Sequence, residues 1–577
     1  MPNGDASGSF HMFMDVWDGG HPCILVDAPV PLSISLYIEL SRRSMGLLVR
    51  RKERAMEDRR NIRPETAKDL PGRPESLWTG TTPGTGFPSL DRDLRLDAVV
   101  VGGGIAGLTT AMLLQEAGLN TAVVESRRIV MGVTAKTTAK ITALQGTVYR
   151  SLVSTFGREG ARIYADANVK ALEQMADLIE REGISCGFSR DLACTYTRDD
   201  KEVSRIEEEV KAAEGAGLPV FFTRETALPF GVSGAVCLKD QAKFHPREYL
   251  LALAMKFTGA GGLIFEHTRA QAVRKAGASV EVATDKGSLR AGAAVIATHY
   301  PVHDPAFFFS RLYPQRSYLL AARLEMPCPE GMYISIDEPF HTIRGQAVGD
   351  DHFLLIGGIH HKPGHVKNTA ALYRDVERYA REHFAIGSID YHWSTQDNWT
   401  PDNVPYIGPI SPHQKNIYVA TGFAGWGMAH SMVAALIIKD AVLGGDNDWS
   451  PLYNPSRFKP GGVFTFAREN LHVAREIVTE RFFTRPEPLD AESLRPGEGG
   501  LFARGEGQMA AARDSEGELH AVSPRCTHMG CLVSWNNAEE SWDCPCHGSR
   551  FTGNGRVIHA PAFVDLKGEP PQGKEGR

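Results

Sequence analysis

Apolar residues along most of the chain come in short bursts separated by glycine- and proline-rich turns, and one burst carries more information than the rest. Asp97-Ala98-Val99-Val100-Val101 has the unbroken apolar character of a strand covered on both faces, and it runs straight into Gly102-Gly103-Gly104-Ile105-Ala106-Gly107. Ile105, Leu108 and Met112 then recur at helical spacing on one face, and Gly118 suits the left-handed residue that closes a helix. Thr121-Ala122-Val123-Val124 predicts a second strand that ends at Glu125. Two more strand patterns, Ala294-Val295-Ile296-Ala297-Thr298 and Asn416 to Thr421, lie far downstream. Between about 150 and 390, helical patterns such as Ala161 to Glu182 mix with short strands. A polar helical pattern covers Phe464 to Phe483, and from Thr484 short alternating segments with turns such as Arg513-Asp514-Ser515-Glu516-Gly517 predict a small antiparallel β domain. Pro71-Gly72 to Pro88 reads as an extended lead-in, and there is no internal repeat.

Strand, glycine-rich turn, helix, second strand and terminal acid together form a βαβ unit with G-x-G-x-x-G at Gly102, Gly104 and Gly107. In such a unit the first turn is tight, the backbone approaches a pyrophosphate resting on the helix N-terminus, and an acid about twenty residues on, here Glu125, accepts from a ribose diol. The residues alone predict dinucleotide binding.

Near the C-terminus, Cys526-Thr527-His528-Met529-Gly530-Cys531 and Cys544-Pro545-Cys546-His547-Gly548-Ser549 supply two thiolates and two imidazoles in a C-x-H and C-x-x-H pattern. About the last ninety residues closely resemble the Rieske [2Fe-2S] family, which assigns Cys526, His528, Cys544 and His547 as cluster ligands. Two neutral imidazoles in place of two anionic ligands raise such a cluster to roughly −150 to +300 mV. Cys531 and Cys546 each lie close to a ligand, and closure of both loops over the cluster brings them together as an expected disulfide, contributing about 3 kcal/mol in the chain-entropy model. Ser549 is placed to donate to a cluster sulfur. Phe551-Thr552-Gly553-Asn554-Gly555 and the following Ala560-Pro561-Ala562 loop, which covers the cluster in the family, agree. High-potential members carry Tyr where this chain has Phe551, which implies a potential below the top of the family range. A structural zinc site is the alternative, but zinc motifs usually open with C-x₂₋₄-C and offer no use for the extra cysteine pair.

The choice between dinucleotides rests on Trp399-Thr400-Pro401-Asp402-Asn403-Val404-Pro405-Tyr406-Ile407-Gly408-Pro409, followed by the strand to Thr421 and by Gly422-Phe423-Ala424-Gly425-Trp426-Gly427-Met428. This resembles the closing FAD motif of the D-amino-acid oxidase-like flavoproteins, which include glycine, sarcosine and glutamylputrescine oxidases. Gly132 to Lys140 resembles the loop that runs along the flavin, and Ala294 to Thr298 the strand leading to a further adenine-side contact. The likeness spans roughly residues 76 to 460 and favours FAD over NAD. It implies a mixed α/β and α+β architecture: a Rossmann-like FAD-binding domain, an antiparallel-sheet substrate domain and a small all-β Rieske domain. The implied cofactor contacts are Gly102, Gly104, Ile105, Ala106 and Gly107 in the first turn and Glu125 after the second strand. Thr134, Thr138 and Ala139 follow in the loop, then Thr298, and finally Gly422, Trp426, Gly427 and Met428.

The expected domains are an N-terminal extension at 1–75, disordered or an over-long start, the flavoprotein at 76–463, a helical linker at 464–483 and the Rieske domain at 484–577. With 63 basic and 69 acidic residues the formal charge is −6, which gives no nucleic-acid footprint. No apolar stretch is long enough to cross a bilayer, since Cys23 to Leu40 is interrupted by Asp27, Pro29, Pro31 and Glu39. Ser41-Arg42-Arg43 lacks the longer apolar run an export signal needs. Cys23, Cys186, Cys194, Cys237 and Cys328 show no ligand spacing and read as ordinary thiols of a cytoplasmic protein.

Both cofactors on one chain imply that an amine or amino-acid-like substrate is oxidised at the flavin and that electrons pass singly through the cluster to an external acceptor. His528 or His547, partly exposed, is the expected exit. Tyr300, His360, His361 and Trp426 are candidates for the substrate lining. Three other readings stand beside this one. A Rieske oxygenase would need a two-His, one-carboxylate iron site, for which His299-Tyr300-Pro301-Val302-His303-Asp304 is the nearest match. A redox sensor would keep both cofactors without turnover. A nicotinamide-linked reductase would need a second glycine fingerprint, and Gly259-Ala260-Gly261-Gly262 lacks its third glycine.

Overall fold

The computed structural model describes residues 66–457, 466–471, 473, 491–504 and 507–569. The extension expected at 1–75 lies outside these residues up to 65, and most of the expected 464–483 linker does too. Residues 66–75 are folded: Arg73 N donates to Asp390 O at 2.9 Å and His392 N to Arg73 O at 2.9 Å, which ties this segment to the edge of a sheet. The lead-in is not wholly extended either. Ser76 caps a short helix, Leu77–Gly80, whose Leu77 and Trp78 are completely buried, so the segment is pinned by its own apolar pair.

Leu94–Val101 is the centre of the first sheet, parallel to Thr121–Val124 on one side and Ser288–Ile296 on the other. Leu263–Phe265 and Gln414–Thr421 extend it in parallel, and Tyr406–Ser411 closes one edge antiparallel. Ala98 to Val101 are buried, as their composition requires of a strand covered on both faces. The helix Ile105–Glu116 is buried on more than the single expected face, because it lies between the sheet and the helices Gly427–Val442 and Pro246–Gly259. Gly118 does close it, at φ +85°.

The second sheet has nine strands. From the edge, Ile386–Trp399 pairs with Tyr313–Leu324, then come Asp351–His361, His341–Val348, Met332–Ser335, Ser189–Thr197, Gly234–Lys243 and Lys140–Ile141, with Phe221–Thr223 beside Gly234–Lys243. It is the expected antiparallel sheet, with one parallel pairing where Met332–Ser335 joins Ser189–Thr197. The chain leaves this sheet only after Lys243, runs through the first sheet and returns at Tyr313, so the parallel pair joins two distant stretches of chain and is not a hairpin. The helical pattern at Ala161 to Glu182 belongs to a longer helix, Val148–Arg181, broken at Gly157, where φ is +74°. Cys194 and Cys237 sit opposite each other on paired strands, 4.2 Å apart at Cα, and form a disulfide. This corrects the reading of both as free thiols: the 43-residue separation hides a register that only strand pairing reveals.

The C-terminal module consists of two antiparallel sheets, Gly499–Arg504, Gly507–Arg513 and Leu519–Val522 in one, and Ser534–Asn536, Ser541–Asp543, Arg550–Thr552 and Val557–His559 in the other. Trp542 and Phe551 fill its core with no exposure. It packs directly on the second sheet. Arg316, fully buried, pairs with Glu539 of the module, which also holds Arg550 at 2.5 Å, and Arg550 reaches Asp543 at 2.8 Å. Burial opposes ionisation of Glu539, yet Arg316 and Arg550 hold its carboxyl well below the usual range. Thr369 Oγ1 adds a bond to Asn536 at 2.6 Å. No helix among the described residues is long and apolar enough to cross a membrane.

Candidate redox centre

The glycine turn works because two of its members cannot carry a side chain. A Cβ on Gly107 would stand 1.9 Å from the Gly102 carbonyl oxygen, so the helix meets the strand as closely as backbones allow. Glu125 Oε2 accepts from Gly103 N at 2.9 Å and Oε1 from Arg127 N at 3.0 Å, fixing the acid at the end of its strand. Thr134 Oγ1 accepts from Ile105 N at 3.1 Å. The helices starting at Ile105 and Gly427 both lack a side chain capping from their N-cap residues, Gly104 and Trp426.

Both helix starts open on one cavity of about 630 Å³. Gly102, Gly104, Ile105, Ala106 and Glu125 line one end, with Thr134, Thr138 and Thr298 along it. Gly422, Trp426, Gly427 and Met428 line the other end. Gly107 and Ala139 do not line it. Gly107 is spent on helix–strand packing, and Ala139, at φ +55°, is turned into the core. Two positive helix ends, a bare glycine backbone and an acid on one long cavity fit a dinucleotide whose pyrophosphate is anionic and whose flavin gains negative charge when reduced.

The second sheet supplies the cavity's other wall. Along Ile386–Trp399 the alternate residues Thr395, Asp397 and Trp399 face it, while Gln396 and Asn398 point away. Tyr300, His360 and Trp426 line the cavity as expected, and His361 does not. Neighbours on a strand point to opposite faces, and His361 Nε2 bonds the Tyr318 hydroxyl at 2.8 Å on the far side. Burial, and more weakly His361, lowers His360 to about 4, so its ring is neutral near pH 7. Burial alone raises Asp397 to about 7. Asp397 and the buried Lys140 were missed in the sequence. The alternation that ends at Trp399 is the signal that could have found Asp397.

In the C-terminal module, Cys526 and Cys544 are buried free thiols, and the rings of His528 and His547 lie 4.9 Å apart and perpendicular. A hydrogen bond with Cys544 lowers the Cys526 thiol to about 7, and the same bond pushes Cys544 well up. His547 Nδ1 is buried without a partner among the described residues, as a ring nitrogen reserved for a metal would be. Two thiols and two neutral rings converging from adjacent loops fit a Rieske cluster. Cys531 and Cys546 form the expected disulfide. Ser549 Oγ accepts from Ala562 N at 3.0 Å and lies against Cys526. His547, expected at an exposed tip, is only 7% exposed. It and His528 both pack edge-on against Phe309 of the flavoprotein body, each 5.7 Å from its ring, because the module docks with its ligand loops inward. The described part of the expected linker, 466–471, closes the same region: Asn470 Nδ2 donates to Ser310 O at 2.9 Å.

The segment after the ligands completes the cavity. Val557, Ile558, His559, Ala560, Ala562 and Phe563 of the module line it. His559 stacks edge-on to His299 at 5.2 Å, and Gln396 Nε2 links Gly548 O at 2.9 Å to His559 Nδ1 at 3.3 Å. One loop therefore has the cavity on one side and, through Ala562 and Ser549, the cluster site on the other. Of the residues weighed as an oxygenase iron site, two are engaged elsewhere: His303 bonds Gln414 at 3.0 Å, and Asp304 accepts from the Phe308 and Phe309 amides. Gly259 to Gly262 form a helix end, with Gly261 at φ +92°, and no second fingerprint.

A family model for FAD dependent oxidoreductases matches residues 97–441, and one for the Rieske [2Fe-2S] domain matches 488–570. A Bacillus subtilis protein, YhfW, described as a Rieske 2Fe-2S iron-sulfur protein, is 36% identical over 496 residues, covering 86% of this chain and 97% of its own. Among solved structures, glycine oxidase from Geobacillus kaustophilus superposes with a TM-score of 0.54 at 20% identity, over 63% of this chain and 99% of that one. L-proline dehydrogenase from P. horikoshii gives 0.52 at 22% identity, over 64% and 98%.

Proposed function

The chain belongs to the FAD-dependent oxidoreductase family and carries a Rieske [2Fe-2S] domain, and from that premise we propose that it oxidises an amine or amino-acid-like substrate and passes the electrons singly to an external acceptor. Bound FAD supplies hydride acceptance, two electrons at once, and a bound Rieske cluster carries one electron at a time.

In this reading the Gly102–Gly107 turn, Glu125, Thr134, Thr138, Thr298 and the Gly422–Met428 turn hold FAD. Cys526, His528, Cys544 and His547 hold the cluster. The flavoprotein part extends over 76–463 and the Rieske part over 484–577, joined by the 464–483 segment. Tyr300, His360 and Trp426 line the substrate end, where the walls orient substrate and exclude water. The observation that carries the relay is the shared wall: the 557–564 loop borders the cavity, and its Ala562 amide bonds Ser549 beside Cys526. Since both ligand rings abut Phe309, the outward exit is assigned to the half-exposed His528 edge rather than to His547.

An anaerobic screen of primary and secondary amines and amino acids tests this, with flavin bleaching followed by absorbance and cluster reduction by electron paramagnetic resonance. The reading expects bleaching by a member of the panel and a cluster signal that follows it. Bleaching without a cluster signal contradicts the relay, and no bleaching by any compound contradicts the amine chemistry.

A further inference from the structure

The sheet wall of the cavity holds a group that the redox reading does not use. Asp397 faces the cavity with no hydrogen bond or ion pair to its carboxyl among the described residues. Its Oδ2 lies 3.9 Å from the point where a Cβ on Gly425 would stand, beside the turn that starts the Gly427–Val442 helix. A half-buried carboxylate without a partner is costly unless a ligand supplies one.

The same wall has a second feature. Phe340, His360 and Trp399 all line the cavity, with His360 packed against both others, at 3.8 Å between ring centres from Phe340 and 6.1 Å from Trp399. Thr395, two residues before Asp397 on the same face, is 8% exposed, and its hydroxyl has no partner among the described residues. A lone carboxylate beside aromatic faces is the chemistry that receives an ammonium group.

Groups that would hold a carboxylate are absent from this wall or already engaged. The arginines lining the cavity are Arg127, Arg128 and Arg269, near Glu125 at the dinucleotide end. Lys140 donates to Tyr333 O at 2.6 Å and to the Thr342 hydroxyl. Lys136 also lines the cavity, and its largest charge interaction is with Glu539 of the module. His360 carries no hydrogen-bonded anion among the described residues, and its neutral ring leaves Asp397 free of a competing cation.

We propose that this wall is an ammonium subsite, with Asp397 as counter-ion and Phe340, His360 and Trp399 as its aromatic sides, selecting a substrate that presents a cationic amine and no carboxylate. The inference rests on the amine-oxidising reading and narrows its substrate class. Asp397 acts as a specificity residue; its role is to bind and orient.

The test uses the oxidised, flavin- and cluster-loaded full chain under anaerobic conditions with three four-carbon probes, n-butylamine, 4-aminobutyrate and n-butanol. Half-saturation is read from perturbation or bleaching of the flavin's visible band. Butylamine is expected to bind at least about tenfold more tightly than either of the others, as a charged hydrogen bond is worth. Asp397→Asn is expected to abolish that preference while retaining flavin, and Asp397→Glu to keep part of it. The inference is overturned if 4-aminobutyrate binds as well as butylamine, if butylamine has no effect, or if Asp397→Asn shifts the flavin band without weakening butylamine. The wild-type comparison decides alone if a variant fails to hold flavin. Bleaching by α-amino acids with no response to butylamine would sink the subsite and leave the redox reading standing.

Discussion

The proposed cluster site and the proposed substrate wall are built in opposite ways. The four proposed cluster ligands lie between Cys526 and His547, on two loops clamped by the Cys531–Cys546 disulfide. The substrate wall draws Lys140, Ser317, His360 and Asp397 from four strands that meet only when a nine-stranded sheet forms. A site written in one short stretch is robust to its surroundings, whereas a site assembled across a sheet depends on every register that precedes it. The two share one border, the 557–564 loop, and the consequences of breaking each side differ.

The largest effect is expected on the local side. Cys544→Ser removes a thiolate ligand and should eliminate the cluster's paramagnetic signal completely while the flavin band persists. Loss of both together would mean that the two sites are not separately built. Glu539→Ala comes next. It leaves Arg316 and Arg550 buried without their common carboxylate, and removal of one partner of a buried pair costs about 3–5 kcal/mol. Thermal unfolding should drop accordingly, with the module undocking first, and an unchanged midpoint would show that the ion network does not hold the two parts together.

Gly548→Ala probes the border itself. Gly548 has φ +75°, and an added Cβ would stand 2.6 Å from Pro314 Cγ, so overpacking and backbone strain should cost about 1–3 kcal/mol. The expected result is slower transfer between flavin and cluster with the flavin cavity unaltered; wild-type transfer would show that the contact carries no such weight. The smallest effect is a pH dependence. Burial raises Asp397 to about 7, so its charge is present above that pH and is lost as pH falls through it. Affinity for a cationic amine should therefore rise with pH through about 7, and this inflection should vanish in Asp397→Asn. His360, held near 4, does not titrate in that window.

What was legible in the sequence follows the same division. The strand–glycine–helix turn, Glu125 and the cysteine and histidine pairs are contiguous patterns whose chemistry is fixed by spacing, and the cavity receives all the expected FAD-side residues except Gly107 and Ala139. His360 and His361 could not be told apart, since adjacent strand residues face opposite ways and sequence does not say which face is the cavity. Asp397 stayed hidden because its neighbours in space come from distant strands. The Cys194–Cys237 bond stayed hidden because it depends on a strand register. Docking of the module, which turned His547 inward, depends on Arg316, Thr369 and Pro314, none of which forms a motif.

The central claim is that the two redox sites lie close enough in one molecule to exchange electrons across the 557–564 loop. The most direct measurement is anaerobic photoreduction of the flavin in the loaded protein, with the cluster's paramagnetic signal followed over a range of protein concentrations. The signal should appear as the flavin's electrons are withdrawn, at a rate independent of concentration. A cluster that stays oxidised, or a rate that scales with concentration, would contradict it.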